Sequence, residues 1–305
     1  KTGCTTCFDH HYVFPARAGD LIGAQFRAAE LVGMRFHASR GSMDLSRKDG
    51  GLPPDSVVQT IDQILADSER LVRVWHDPSR FSMRQVALAP CSPFSVSTDL
   101  LRESARLARS LEVRLHTHVA ETRDEEQYTL ERFGLRPLAY LEGLGWTGPD
   151  VWYAHGIHFN DDELKALAAT GTGVAHCPIS NNLLEELRVC YLLHRLQSSQ
   201  NAPTGYDILK LATRGSARLL GRDDIGCLAA GMAADCFLIS LDRIELAGAQ
   251  FDPLSLLGTV GLKGPVDYTI VNGVAVVQNG ELVTADEGEL AARANAAVCH
   301  YLGRC

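Results

Sequence analysis

The chain has 305 residues, 46% hydrophobic and 22% charged, with a formal net charge of −8. This is the composition of an ordinary soluble globular protein with room for a large core, and its length allows two domains. An acidic balance without any Lys/Arg-rich run argues against nucleic acid or an anionic membrane as partner, while a neutral or cationic small molecule fits well. No apolar run approaches the roughly 18 residues of a spanning helix and no signal peptide opens the sequence, so a cytoplasmic protein is expected.

The first 180 residues alternate strand and helix. Strand candidates are TTCFDHHYVF (5–14), MRFHASRG (34–41), RQVALAPCS (84–92), VRLHTHVAE (113–121), VWYAHGI (151–157) and TGVAHCPIS (172–180). Helical patterns lie between them at 20–32, 55–75, 98–111, 124–143 and 161–169. In the second of these, Val57, Val58, Ile61, Ile64, Leu65 and Leu71 recur at helical spacing behind Asp55 as the expected N-cap. Such repetition implies parallel strands with helical crossovers. Chemistry-bearing residues end several successive strands and no GxGxxG follows the first, so a (β/α)₈ TIM-like barrel is favoured over an open doubly wound sheet.

The strand count falls short of that barrel. Six strand–helix units are visible, where closure takes eight. Residues 183–197 and 205–220 both read as helix with no strand between them, and the chain opens at Lys1 directly into a strand. One unit is therefore expected to be missing before residue 1, and one strand near Asn181–Asn182. The expected explanation is that the string carries only part of the native polypeptide. From residue 223 the pattern changes to short alternating strands with Asn-Gly turns at 272–273 and 279–280, the mark of a small β domain. The expected organisation is an incomplete barrel over 1–222, part of a β-sandwich over 223–284, and a C-terminal helical segment over 285–305, with the helix itself at 285–302.

The most informative segment is LHTHVAET, residues 115–122. Residues two apart in a strand share a face, so His116 and His118 point the same way, and Glu121 follows in the loop just beyond. His155 in VWYAHGI and His176 in GVAHCPIS end the next two strands. Neutral imidazoles suit Zn²⁺ or Fe²⁺, a divalent ion brings the pKa of its water to about 7, and a carboxylate alongside can shuttle a proton to a ring nitrogen and on to departing ammonia. His118, His155 and Glu121 form the working core of this reading, with His176 orienting water or contacting substrate. His116 sits one layer deeper, with a supporting or packing role. For His10 and His11, which end the first strand, and for His158, a structural role is the favoured reading. Nothing around His37, His76, His194 and His300 marks them for function. Arg40, Cys91 and Ser92 also sit at strand ends and are candidate substrate contacts; the competing role of Arg40 is an ion pair between loops, and that of Cys91 is packing. The Gly50–Pro54 run reads as a loop able to serve as a lid. Cys4 and Cys7 form a CxxC, expected to be small apolar fillers in a reducing compartment, and the odd total of nine cysteines speaks against a complete disulfide framework.

In order along the chain, HTHVAET, WYAH, AHCPISN and ATRGSARLLGRDDIGCLAAGMAAD resemble the amidohydrolase superfamily, in its cytosine/guanine deaminase and s-triazine hydrolase branch. RFHASRGSMDLSRKDGGLPPDSVV and APCSPFSVS are similar to bacterial 8-oxoguanine deaminases. The resemblance implies a (β/α)₈ barrel with a small β-sandwich, assembly as a homo-oligomer, and one divalent metal ion, Zn²⁺ before Fe²⁺. It further implies His118 and His155 as metal ligands, Glu121 as general acid/base, and His176 as a contact to the metal's water or the substrate. Two features of that branch, an HxH ligand pair on strand 1 and an aspartate on strand 8, are not present in this sequence, and both belong where the strand count is already short. The function implied is hydrolytic deamination of an amino-substituted oxo-purine, with 8-oxoguanine to urate and ammonia foremost. Guanine, isoxanthopterin and a hydroxy-s-triazine are rival substrates; a metal-free, non-catalytic barrel scaffold is the rival of another class.

Overall fold

The computed structural model describes residues 1–178, 182–198 and 200–303. Ile179 and Ser180, which end the sixth predicted strand, and Asn181, beside which a missing strand is expected, lie outside these residues.

Six parallel strands form one curled sheet in sequential order: β1 (Thr6–Asp9), β2 (Arg35–Ser42), β3 (Arg84–Pro90), β4 (Leu115–Val119), β5 (Val151–His155) and β6 (Gly173–Ala175). Every neighbour is parallel, as helical crossovers require, and the strand succession matches the six expected units. The crossovers are α1 (Leu21–Val32), α2 (Ile61–Trp75), α3 (Thr98–Ser110), α4 (Arg123–Phe133) with α5 (Pro137–Glu142), and α6 (Asp161–Thr170). This is a half-barrel, open along its β1 and β6 edges among the described residues.

Helix ends follow local chemistry. Helix α2 starts at Ile61 instead of near residue 55, because Thr60 and Gln63 form a reciprocal capping box while Asp55 opens a separate 3₁₀ turn. The single helix expected over 124–143 is divided by Gly134, a left-handed C-cap at φ 69°, and resumes with Pro137 in its first turn. Between sheet and helices, Leu71, Leu100, Leu101, Leu115 and Leu141 are fully buried, each stabilising the fold by roughly 1.5–3 kcal/mol.

Strand alternation decides which side chains face the barrel axis. In β2, Phe36 packs edge-on against Phe26 of α1 and Arg40 pairs with Asp67 of α2, so even-numbered positions face the helices. In β4 and β5, His116 stacks on Trp152 and both look inward. The same parity places Phe8 and His10 inward from β1.

After β6 come α7 (Leu183–Gln197), α8 (Gly205–Lys210) and α9 (Ser216–Leu219), the last two joined by a π turn over Leu211–Gly215, so the helix expected over 205–220 is present but not uniform. A small antiparallel sheet follows, built from β7 (Cys236–Leu238), β8 (Tyr268–Val271), β9 (Val274–Gln278) and β10 (Glu281–Leu282) in the order β10-β9-β8-β7. Its two Asn-Gly turns have positive φ at both central residues (50° and 81°; 53° and 80°), the hairpin geometry that these residue pairs favour. One such sheet is half of a sandwich. The last helix, α10 (Glu287–Tyr301), follows close to its expected bounds.

Buried charges join the small sheet to the barrel at the N-terminal ends of the strands. Arg35 pairs with Asp235, and Arg222 forms a two-pronged pair with Asp224 at 2.7 Å on both arms, all four side chains at most 5% exposed. His37 Nε2 lies 3.3 Å from the Arg222 guanidinium. Burial and these arginines push its pKa down to about 3.

Candidate metal centre and catalytic carboxylate

At the opposite end of the sheet, imidazoles from three strands meet. Backbone carbonyls fix the tautomers of two of them. His118 Nδ1 lies 2.6 Å from the Cys91 carbonyl, and His116 Nδ1 lies 3.1 Å from the Trp152 carbonyl. A carbonyl only accepts, so each Nδ1 carries the proton and each Nε2 is left with a lone pair. Both lone pairs are directed at His10, whose Nδ1 is 2.9 Å from His116 Nε2 and 3.3 Å from His118 Nε2. One N–H on His10 can serve one of those lone pairs well, whereas a cation can serve all three nitrogens, which lie within 4.8 Å of one another. A carbonyl holding the far nitrogen of a ring is also the usual support of a metal-bound histidine. Burial and the neighbouring imidazoles lower the His10 pKa to about 4 and that of His116 well below its ordinary value, so the rings stay neutral and ligand-competent. The donor set fits a divalent ion.

His155 reaches this cluster by breaking strand alternation. Strict period two gives it the side of Tyr153, which points away and donates its hydroxyl to the Trp146 carbonyl. His155 instead takes φ 74°, a left-handed conformation rare outside glycine, and its ring stacks on His118 with centroids 5.4 Å apart. Its Nε2 lies 3.6 Å from Glu121 Oε1, and the Glu121 side chain is half exposed while that of His155 is mostly covered. Imidazole nitrogens and an accessible carboxylate thus share one mouth. Ala120, also left-handed at φ 53°, turns the chain between His118 and Glu121.

The remaining candidates are distributed unevenly. The Cys91 carbonyl accepts from His118 twice, through the backbone N–H at 3.0 Å and the ring at 2.6 Å, and from the Thr117 hydroxyl at 3.1 Å. Cys91 therefore orients a histidine, and burial pushes its thiol up to about 11. Ser92 faces Ser95 within the same turn. The substrate contact expected of Arg40 meets a different placement: its guanidinium lies on the helix side of β2, bonded to Asp67, Gln59 and the Gly41 carbonyl, with its carbon 4.0 Å from the Phe14 ring centroid. It is 1% exposed and has the ion-pair role weighed against substrate binding. His176 follows β6 and faces His194 of α7 at a ring distance of 5.9 Å, outside the three-nitrogen cluster. The Gly50–Pro54 loop is tied down, with Leu52 N–H on the Phe94 carbonyl and Arg47 N–H on the Pro53 carbonyl. Cys4 and Cys7 are free thiols, and burial pushes Cys7 up to about 12, as suits apolar fillers.

Three further residues lie at the site: His10 and His116, for which supporting or structural roles are expected from the sequence, and Tyr12, which the motifs do not mark. His10 and His116 join His118 directly. The shared parity of Phe8 and His10 is a signal available in the sequence, but it does not place β1 across the sheet from β4. Tyr12, still partly exposed, stands edge-on to His118 at 5.8 Å. Its segment is clamped to β2, where Gly41 N–H and the Ser39 hydroxyl both donate to the His11 carbonyl, and a Cβ on Gly41 would lie 2.2 Å from that oxygen.

The amidohydrolase family model matches residues 1–186 and 180–276, two stretches that overlap at 180–186. Hydroxydechloroatrazine ethylaminohydrolase of Pseudomonas sp. strain ADP is 44% identical, over 97% of this chain and 69% of that protein. The 8-oxoguanine deaminase of Pseudomonas aeruginosa is also 44% identical, over 97% of this chain and 73% of its own length. The first of these alignments runs over 332 positions for a chain of 305 residues, so the relative holds residues inside the matched stretch that this chain does not. Among solved structures, the zinc complex of the atrazine chlorohydrolase TrzN from Arthrobacter aurescens TC1 superposes with a TM-score of 0.90 at 32% identity, covering 96% of this chain and 72% of that one. Sequence motifs, half-barrel and histidine cluster agree with these matches: the chain belongs to the amidohydrolase family.

Proposed function

We propose that this protein is a metal-dependent hydrolytic deaminase of a flat amino-substituted oxo-heterocycle, with 8-oxoguanine as the foremost substrate, giving urate and ammonia. The observation that carries the reading is the meeting of carbonyl-fixed imidazoles with an accessible carboxylate 3.6 Å from His155. A non-catalytic scaffold has no use for converging lone pairs. In this reading His118 and His155 hold a divalent ion, Zn²⁺ before Fe²⁺, with His10 and His116 in reach of it. When bound, such an ion supplies acidified water near neutral pH.

The chain's own residues do the rest. Glu121 takes a proton from water and delivers it to the ring nitrogen beside the amino-bearing carbon, then carries a second proton to the departing ammonia. Its half-exposed position lets it reach both solvent and substrate. Tyr12 offers an aromatic wall beside His118 for a planar ring. His176 is a rim contact to water or substrate, the Cys91 carbonyl supports the His118 ring, Ser92 stays a candidate substrate contact, and Arg40 is a brace in place of the substrate contact expected of it.

A second reading within the class is favoured by one observation: a triazine ethylaminohydrolase and an 8-oxoguanine deaminase are equally similar at 44% identity. Ammonia or amine release from 8-oxoguanine, guanine, isoxanthopterin and a hydroxy-s-triazine, measured on the zinc-loaded protein, separates them. Turnover of 8-oxoguanine above the others supports the proposal. Turnover of guanine or the triazine with none of 8-oxoguanine overturns the specific substrate, and no turnover of any of them with zinc bound overturns the deaminase reading.

A further inference from the structure

Glu125, in the first turn of α4, is 1% exposed, which is unusual for a carboxylate. Its two oxygens are spent on the two peptide N–H groups that precede the helix: Oε1 accepts from Ala120 at 2.9 Å and Oε2 from Glu121 at 3.1 Å. Helix capping alone does not call for this. Thr122 already caps α4 through the Glu125 N–H at 3.4 Å, and Asp124 and Glu126 already place negative charge in the first turn. A buried carboxylate costs desolvation, visible in a pKa raised to about 7. What it achieves is control of the peptide that carries Glu121.

That peptide needs control. Ala120 occupies the left-handed region at φ 53°, a conformation that a non-glycine residue leaves unless its surroundings hold it. The His158 N–H donates to the Ala120 carbonyl at 3.0 Å, and the Gly156 N–H donates to the Val119 carbonyl at 3.0 Å. The turn is thus gripped on its carbonyl side by the segment after β5 and on its N–H side by Glu125. Release of the N–H side frees the turn to relax and swings Glu121 away from His155.

We propose that Glu125 is a positioning residue of the site, whose buried carboxylate locks the Ala120–Glu121 turn so that Glu121 is presented beside His155. The proposal rests on the reading of Glu121 as the proton carrier. Glu125→Gln keeps size but puts an NH₂ donor against one of the two N–H groups, and Thr122→Ala removes the helix cap while leaving both N–H contacts intact.

Three readouts on the full chain decide it: amide hydrogen exchange at Ala120 and Glu121, zinc content with Tm, and kcat and KM on the best substrate of the panel. For Glu125→Gln, exchange at the two amides is expected to accelerate at least about tenfold. Its kcat is expected to fall roughly 10–100-fold, with KM within about threefold and zinc content unchanged. Thr122→Ala is expected to lower Tm while its kcat stays within about twofold of wild type. Unchanged exchange in Glu125→Gln, an unchanged kcat, a loss of kcat matched by loss of zinc, or an equal loss of kcat in Thr122→Ala overturns the proposal. A wild-type protein with no turnover speaks against the deaminase reading instead, and the exchange measurement then decides the lock by itself.

Discussion

The two ends of the curled sheet bury polar groups in opposite ways. At the N-terminal end, each buried charge meets its opposite: Arg35 faces Asp235, Arg222 grips Asp224 on two arms, and both arginines also donate to the Ser82 carbonyl at 3.1 and 3.2 Å. At the C-terminal end, two imidazoles have their protons tied to carbonyls and direct lone pairs at a third, and a carboxylate is left half in solvent. The first arrangement spends its charges chiefly on one another. The second has unspent donor atoms held rigidly, and it includes backbone in the left-handed region at Ala120 and His155. Unspent lone pairs beside an accessible carboxylate at one end, and charges paired with one another at the other, separate a site from a joint.

Substitutions that break each end should therefore fail in different ways. The largest effect is expected from Glu121→Gln, which should lower kcat by roughly 10²–10⁴-fold with Tm unchanged, read by steady-state kinetics beside a thermal melt. A variant within a few-fold of wild type removes Glu121 from proton transfer. Next come His118→Ala and His10→Ala. Each should weaken zinc binding by at least the roughly 10–100-fold that loss of a ligand's hydrogen-bond partner costs, measured by competition with a chelator. If His10→Ala retains full zinc affinity, that histidine is packing alone. Removal of metal from wild type should abolish turnover, and added Zn²⁺ should restore it.

The joint should respond in stability alone. Asp224→Asn leaves the Arg222 guanidinium buried with half its partner, and about 3 kcal/mol of unfolding free energy should be lost in urea, with kcat per folded molecule unchanged. Burial works to raise the Asp224 carboxyl, yet its hydrogen bonds from Arg222 and the Phe81 N–H hold it down to about 2. The smallest effect concerns acid. His37 is held near pKa 3 against an ordinary 6.5, so folding disfavours its protonated form. The stability tied to its neutrality is present above pH 6.5 and is lost as pH falls from there towards 3. His37→Gln should flatten that part of the stability profile, and identical profiles for variant and wild type remove His37 as a source of acid sensitivity.

Much of the frame could be read along the chain because it depends on local periodicity. The succession of six strands and the helix at 183–197 follow from hydrophobic spacing and capping residues that act over a few positions, although the strands at 84–90, 115–119 and 151–155 each end two residues before the expected 92, 121 and 157. HTHVAET likewise announced an inward-facing histidine pair with a carboxylate behind it. Arg40 shows where position near a strand end is not enough: parity with Phe36 puts it on the helix side and not at the mouth. Glu125 carried a legible signal, the Thr122-x-x-Glu125 capping pattern, but not its destination. Its carboxylate passes the helix terminus and closes on the turn that holds Glu121.

By itself, then, the sequence determined the order of strands and helices, the family, and the residue types from which the chemistry is made, because each is encoded in contiguous residues or fixed spacing. Only the tertiary structure decided which of eleven histidines meet. His10 lies 108 positions from His118, and a curled parallel sheet brings their nitrogens to 3.3 Å. No local propensity contains that distance, since it arises from strand order, the inward parity of each strand, and one left-handed residue at His155 that overrides parity.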